Sequence, residues 1–199
     1  MELQTTFQTF RFGDYKINAF VPEPSALQQA YEKQLQTDPT TPTPYWAQVW
    51  PSAYALCEFI ATQPERLQNK KVLELAAGLG LPSLLAAQVA TEVVCSDHVP
   101  AAVELVQQSI EKNQRTNIKA TVIDWNNIPD DLSCDVLLLS DINYEPQVFE
   151  TETVGAAGVV LTVIVTSSKQ DKSEAVHLKT FVPTERPFTT VFGFVLETN

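Results

Sequence analysis

KVLELAAGLGLPSLLAAQVA, residues 71 to 90, decides the fold class. It opens as an apolar run interrupted by Glu74, passes through alanines and glycines, and returns to leucine and alanine. That is the pattern of a buried strand, a tight turn and a helix with Pro82 in its first turn, where the missing N–H costs little. The alternation continues downstream. TEVVCSD (91 to 97) reads as a second strand and VPAAVELVQQSIEKNQ (99 to 114) as an amphipathic helix; IKATVID (118 to 124), CDVLLLSD (134 to 141) and GVVLTVIVTSS (158 to 168) read as three further strands. Apolar strands alternating with helices predict an α/β protein with a central, mostly parallel sheet and helices on both faces. Ligands of such sheets bind outside the carboxyl ends of the strands, near the topological switch point, so the strand-terminal residues carry the information.

Upstream, FQTFRFGDYKINAF (7 to 20) alternates apolar and polar residues around Gly13-Asp14, a hairpin pattern closed by Pro22 and Pro24. SALQQAYEKQLQ (25 to 36) has helical spacing with Ser25 placed as its N-cap. The Pro/Thr stretch TDPTTPTP (37 to 44) leads into PYWAQVWP (44 to 51), which holds two of the three tryptophans, and a helix is expected over 51 to 62. We read the chain as a single domain, a hairpin/helix appendage over 1 to 45 on a core over 46 to 199.

At 44% apolar residues the composition is that of a soluble globular protein. The run from Val154 to Val165 is far shorter than the roughly 20 residues that span a bilayer, and MELQTTFQTF carries no signal-peptide pattern. We expect no membrane partner and a cytoplasmic location. Cys57, Cys95 and Cys134 are odd in number, lack a C-x-x-C pair and sit in apolar segments, which fits reduced packing thiols and no metal. A net charge of −11 argues against a nucleic-acid partner; it suits a basic substrate, or solubility alone. Neither His98 nor His177 belongs to a Cys/His or Ser/His/Asp constellation, and KQDKSEAVHLK around His177 reads as a solvated helix face.

The first strand end reads Glu74-Leu-Ala76-Ala77-Gly78-Leu-Gly80-Leu-Pro-Ser83. A dinucleotide fingerprint G-x-G-x-x-G starting at Gly78 requires glycine at 83, where serine stands, which weakens an NAD-dependent reading. Small residues at 76, 77, 78 and 80 let the backbone approach a ligand closely. Asp97 ends the next strand 23 residues after Glu74, where an acid accepts hydrogen bonds from ribose hydroxyls. Asp124, followed by the aromatic face of Trp125, ends the third.

As E-x-A-x-G-x-G, the turn resembles motif I of class I S-adenosylmethionine-dependent methyltransferases, with Ala76 in place of the usual first glycine. Asp141-Ile-Asn-Tyr144 is similar to the D-x-x-Y motif of methyltransferase family 16, seven-strand protein-lysine methyltransferases, and Trp50-Pro51 to the pair that opens that family's helix before motif I. The resemblance runs over residues 42 to 150. It implies a Rossmann-like class I fold and S-adenosyl-L-methionine as cofactor. By family position Trp50 contacts the cofactor, Ala76, Ala77, Gly78 and Gly80 form the loop beside it, and Asp97 holds its ribose. Asp124 and Trp125 lie at the adenine, Ser140 beneath the sulfonium, and Asp141 and Tyr144 face the methyl-accepting nitrogen. Glu74 organises the loop or receives the cofactor's amino group through water.

The implied activity is methylation of a lysine in a partner protein; the alternatives are small-molecule N-methylation and a noncatalytic, cofactor-binding or adaptor role. The sequence specifies neither target, nor methyl count, nor oligomeric state. Past Pro146 the chain departs from the family pattern. Only 49 residues follow Glu150, VFETETVGAAG is a poor helix, and TTVFGFVLE (189 to 197) reads as a last strand without an evident hairpin partner.

Overall fold

The computed structural model describes residues 3–124, 127–129, 132–140, 161–170, 173–181 and 191–197. The N-terminal hairpin is β1 (Thr5–Phe12) and β2 (Tyr15–Pro22), paired antiparallel from Thr5↔Pro22 to Phe12↔Tyr15. Gly13 turns the chain at φ 54°, a left-handed value that glycine adopts without strain. Helix α1 spans Pro24–Thr37 and is capped two residues before the expected point: Glu23, not Ser25, occupies the N-cap position. The reason is Pro24, whose ring presets a helical φ and whose absent N–H is not needed in the first turn. A short 3-10 turn over Tyr45–Ala47 leads to α2 (Pro51–Thr62), with Trp50 just before Pro51.

The core sheet is ordered β5 (Ile118–Val122), β4 (Glu92–Asp97), β3 (Lys71–Leu75), β6 (Val136–Ser140), β7 (Leu161–Gln170), β8 (Ser173–Phe181) and β9 (Val191–Glu197). Its parallel part comprises β3, β4, β5, β6 and β7. The chain runs outward from β3 through β4 to β5, then returns to lay β6 on the other side of β3. That reversal is the switch point, and the carboxyl ends of β3, β4 and β6 meet there.

The central strands are buried on both faces, as their near-continuous hydrophobicity requires. One face carries Val72, Val93, Cys95, Val136 and Leu138 into a large core with Leu56, Phe59 and Ile60 of α2 and Leu84 and Leu85. Hairpin residues Phe12, Ile17 and Ala19 join the same cluster, so the appendage shares the core. The other face carries Leu73, Leu75, Val94, Leu137 and Leu139 into a second cluster with Ile123 and Cys134.

Helix α3 (Leu81–Ala86) is shorter than the 81 to 90 read from sequence. Its continuation tightens into turns in which Gln88 and Val89 donate to Leu85 and Ala86. The Asn117 side-chain amide donates to the Ala87 and Ala90 carbonyls, satisfying groups that another helical turn would have used. Helix α4 spans Pro100–Lys112.

The larger correction concerns the segment around His177. It is a strand, β8 (Ser173–Phe181), antiparallel to β7 through Gln170↔Ser173 to Thr162↔Phe181. Val176, Leu178 and Thr180 alternate with Ala175, His177 and Lys179, a period of two that the charged residues obscure. β8 is also the missing partner of the last strand, β9 (Val191–Glu197), which pairs with it antiparallel.

Candidate functional site

The turn after β3 is left-handed at three of its five residues: Ala76 at φ 52°, Gly78 at 53° and Gly80 at 67°. For Ala76 this conformation is strained by roughly 1–2 kcal/mol, because its Cβ crowds the backbone. The surroundings hold it there. Ala77 N–H donates to the Ser96 carbonyl at 2.9 Å, Gly80 N–H to the Ala77 carbonyl at 2.8 Å, and Gly78 N–H to Asp97 Oδ2 at 2.9 Å. Ala76, Ala77 and Gly78 remain half-buried, and Gly80 is buried. A Cβ at Gly80 would stand 2.9 Å from the Cys95 sulfur and 3.1 Å from both Val106 methyls, so this glycine permits β4 and α4 to close on the turn. Its placement serves packing. A Cβ at Gly78 would stand 3.0 Å from the Trp46 carbonyl oxygen, so the aromatic stretch lies directly on the turn through its backbone.

Glu74 is fully buried on the α2/α3 face of β3. Its Oε2 accepts from both the N–H and the hydroxyl of Ser83 in α3, while Oε1 has no partner among the described residues. Burial in apolar surroundings pushes the carboxyl up to about 8, the Ser83 bonds partly offset this, and the Asp97 charge adds to it. Of the two roles open to Glu74 from sequence, this geometry supports organising the loop: it pins the first turn of α3 to β3. Burial beside Glu74 also pushes the Cys57 and Cys95 thiols well up, so both remain protonated packing groups.

Asp97, 5% exposed, closes β4 with each carboxylate oxygen on a backbone amide: Oδ2 on Gly78 and Oδ1 on Val99, the latter at 2.9 Å. His98 Nδ1 lies 3.4 Å from Oδ1. Carboxylate oxygens have further lone pairs, so Asp97 can accept from a ligand while fixing the turn. Asp124 is exposed two residues beyond β5, on a chain that Ile123 ties to Asp97 by an N–H donated to its carbonyl at 3.1 Å. Ser140 ends β6 one step past the Leu75↔Leu139 pair, level with Ala76. Trp50 donates its indole N–H to the Tyr45 carbonyl at 2.9 Å, and the two rings stack obliquely with centroids 6.0 Å apart, closing residues 45 to 50 into a strap. Trp125, Asp141 and Tyr144 lie outside the described residues.

Two cavities bear on where a ligand sits. One, between the turn and α4 against Ala77, Gly78, Ser96, Asp97 and Val103, is a seam too narrow to admit a water molecule. The other, about 470 Å³, lies between the hairpin, α1 and the strap, and includes none of the strand-end residues. The candidate site is the strand-end surface beside the seam, because the acid, the half-buried backbone of the turn and the switch point converge there. Among the described residues no group of three or more His, Cys, Asp or Glu could hold a metal, and no helix is long and apolar enough to cross a membrane. Sequence reasoning missed three participants. Ser83 appeared there only as a break in a dinucleotide fingerprint, Ser96 donates its hydroxyl to the Glu74 carbonyl, and Ser52 meets Ser140. Only Ser83, standing in the motif itself, left a readable signal.

Comparison with known proteins agrees with this geometry. The chain is 34% identical over 108 residues to a histone-arginine methyltransferase of Homo sapiens, covering 51% of this chain and 57% of that protein. It is 42% identical over 83 residues to a calmodulin-lysine N-methyltransferase of Arabidopsis thaliana, covering 39% and 27%. The chain thus spans about half the length of the first of these curated relatives and about a quarter of the second. Among solved structures, a 16S rRNA methyltransferase of T. thermophilus in complex with AdoMet and guanosine shares the fold at TM-score 0.59, with 18% identity over 83% of this chain and 43% of that one. A family model described as lysine methyltransferase matches residues 30–180, from α1 to the end of β8 and across every strand end just described. The chain with the left-handed turn at Ala76–Gly80 and Asp97 beneath it belongs to that lysine methyltransferase family.

Proposed function

We propose that this chain is an S-adenosylmethionine-dependent N-methyltransferase that transfers a methyl group to a lysine side chain of a protein, acting in the cytoplasm. The observation that carries the reading is the convergence of Ala76–Gly78, Asp97 and Ser140 at adjacent strand ends, within the segment matched by the family. The donor set fits the cofactor: Asp97 offers carboxylate lone pairs where ribose hydroxyls would donate, and the half-buried alanines and glycine leave backbone free for close approach. When bound, S-adenosylmethionine supplies a methyl already activated on a sulfonium.

The protein's task is then alignment and exclusion of water. The strap over residues 45–50 would cover the turn, and Trp50 would stand at its hinge with α2. Asp141 would recruit and orient the incoming amine, and Tyr144 would add a hydrogen bond and part of the channel wall. A lysine must be neutral to attack; aromatic, dry surroundings lower its pKa whereas Asp141 raises it, so Asp141 serves recruitment and the proton leaves to water or transiently to that carboxylate. The net charge of −11 favours a basic protein target. Three buried, unpaired cysteines support a reducing compartment.

The test is transfer of labelled methyl from S-adenosylmethionine into cell-extract protein, followed by hydrolysis to identify the methylated amino acid. Label in lysine that is lost in Asp141→Ala supports the reading. Label in arginine would move the acceptor to a guanidinium, the second reading, favoured by the name of the human relative. Label confined to small molecules, or absence of cofactor binding, would replace it with the small-molecule or noncatalytic alternative.

A further inference from the structure

Ser52 stands second in α2, is fully buried, and its hydroxyl oxygen accepts from the Ser140 hydroxyl at 3.1 Å, across 88 residues of sequence. A serine in the first turn of a helix ordinarily faces solvent. Here the hydroxyl has been taken out of water, which is unfavourable without a partner; among the described residues that partner is Ser140. The bond joins three parts of the site. Ser52 follows Trp50-Pro51, so it is tied to the strap; Ser140 ends β6, level with Ala76 of the turn; and Asp141 comes next in the chain.

The direction of the bond has a chemical consequence. A hydroxyl has one proton and two lone pairs, and Ser140 gives its proton to Ser52. What half-buried Ser140 can still offer beyond the strand end is therefore lone pairs, an acceptor for an N–H and not a donor for a carboxylate. We propose that Ser52 is a positioning residue of this site: by accepting the Ser140 proton it holds Ser140 as a hydrogen-bond acceptor for an amine N–H of a bound molecule. The inference rests on the methyltransferase reading above. Two molecules could supply that N–H, the methionine part of the cofactor and the amine to be methylated, and they are separable.

The experiment measures S-adenosylhomocysteine binding by calorimetry, labelled methyl transfer into cell-extract protein, and the thermal midpoint for wild type, Ser52→Ala, Ser140→Ala and the double variant. Ser52→Ala should keep its midpoint near wild type. It should lose roughly tenfold, the worth of one hydrogen bond, in S-adenosylhomocysteine affinity if the donor is the cofactor's amine, or in transfer rate at unchanged affinity if it is the substrate's. In either case the double variant should be no worse than Ser140→Ala, because Ser52 acts only through Ser140. Ser52→Ala without effect on binding or transfer, or an equal further loss in the Ser140→Ala background, would overturn the proposal. A wild-type protein that binds no S-adenosylhomocysteine would instead overturn the methyltransferase reading itself.

Discussion

Glu74→Gln is the most informative single substitution, because it separates the charge of this carboxyl from its shape. In the folded protein burial raises the group from an ordinary 4.5 to about 8. In the unfolded chain it titrates normally. Between those values the folded state holds a proton that the unfolded state has released, so stability falls as pH rises: the contribution is fully present below about 4.5 and lost through about 8. Each pH unit inside the window is worth roughly 1.4 kcal/mol, and the change from pH 5 to pH 8 comes to roughly 3–4 kcal/mol. The side chain is fully buried, so solvent does not screen this effect.

Glutamine keeps an oxygen for Ser83 but places an amide where Oε1 has no partner among the described residues, which costs roughly 1–3 kcal/mol at every pH. The variant should therefore be less stable than wild type at pH 5, draw level as pH rises, and be the more stable of the two at pH 8. Urea denaturation of both proteins at pH 5, 6, 7 and 8 measures the gap directly, and titrations elsewhere in the chain cancel in the difference. A gap that stays constant across the window would show that Glu74 is ionised in the fold, and the account of its burial would fall.

Three further outcomes follow from the turn. Ala76→Gly should stabilise by roughly 0.5–1 kcal/mol, the left-handed strain released less the entropy glycine gains when unfolded; chemical denaturation reads it, and a loss of stability would contradict the strain. Gly80→Ala should destabilise by roughly 2–4 kcal/mol, because a left-handed alanine is added to contacts of 2.9 and 3.1 Å with Cys95 and Val106. The thermal midpoint should fall by several degrees, and an unchanged midpoint would mean the neighbours give way. Trp50→Ala should weaken S-adenosylhomocysteine binding more than Trp46→Ala, because Trp50 closes the strap through its side chain whereas Trp46 touches Gly78 through its backbone, which alanine retains. Calorimetry giving equal or reversed effects would remove Trp50 from the site.

The strand-turn-helix unit over 71 to 86 was legible because every level of the sequence agrees there: a strand buried on both faces, glycines where the backbone turns left-handed, and a proline where a helix opens. Asp97 was legible for the same reason, since the end of an apolar strand fixes where its last side chain must be. β8 was not, because charged residues on a strand near the sheet edge mimic a solvated helix. The orientation of Glu74 was also hidden. Period two says that it shares a face with Val72, but only the packing of α2 and α3 on that face turns a strand-end acid into a buried one. Ser52 is further still from legibility, as its meaning depends on a residue 88 positions away.

The two buried acids show why strand-end position alone does not assign a role. Both stitch the same turn: Asp97 takes the Gly78 and Val99 amides on one side, and Glu74 takes Ser83 on the other, with Ser96 bridging to the Glu74 carbonyl. What separates them is where their remaining valence points. Oε1 of Glu74 is buried on the core side of β3, whereas Asp97 keeps 5% exposure at the end of β4 beside the half-buried Ala77 and Gly78. A carboxylate that holds the turn's amides and still has lone pairs to offer at the strand end is set before any ligand arrives, so accepting a ligand's hydroxyls requires no rearrangement of the loop. The scaffold role of Asp97 is thus part of its binding role, and the scaffold role of Glu74 is the reason the turn can present Ala76–Gly78 at all.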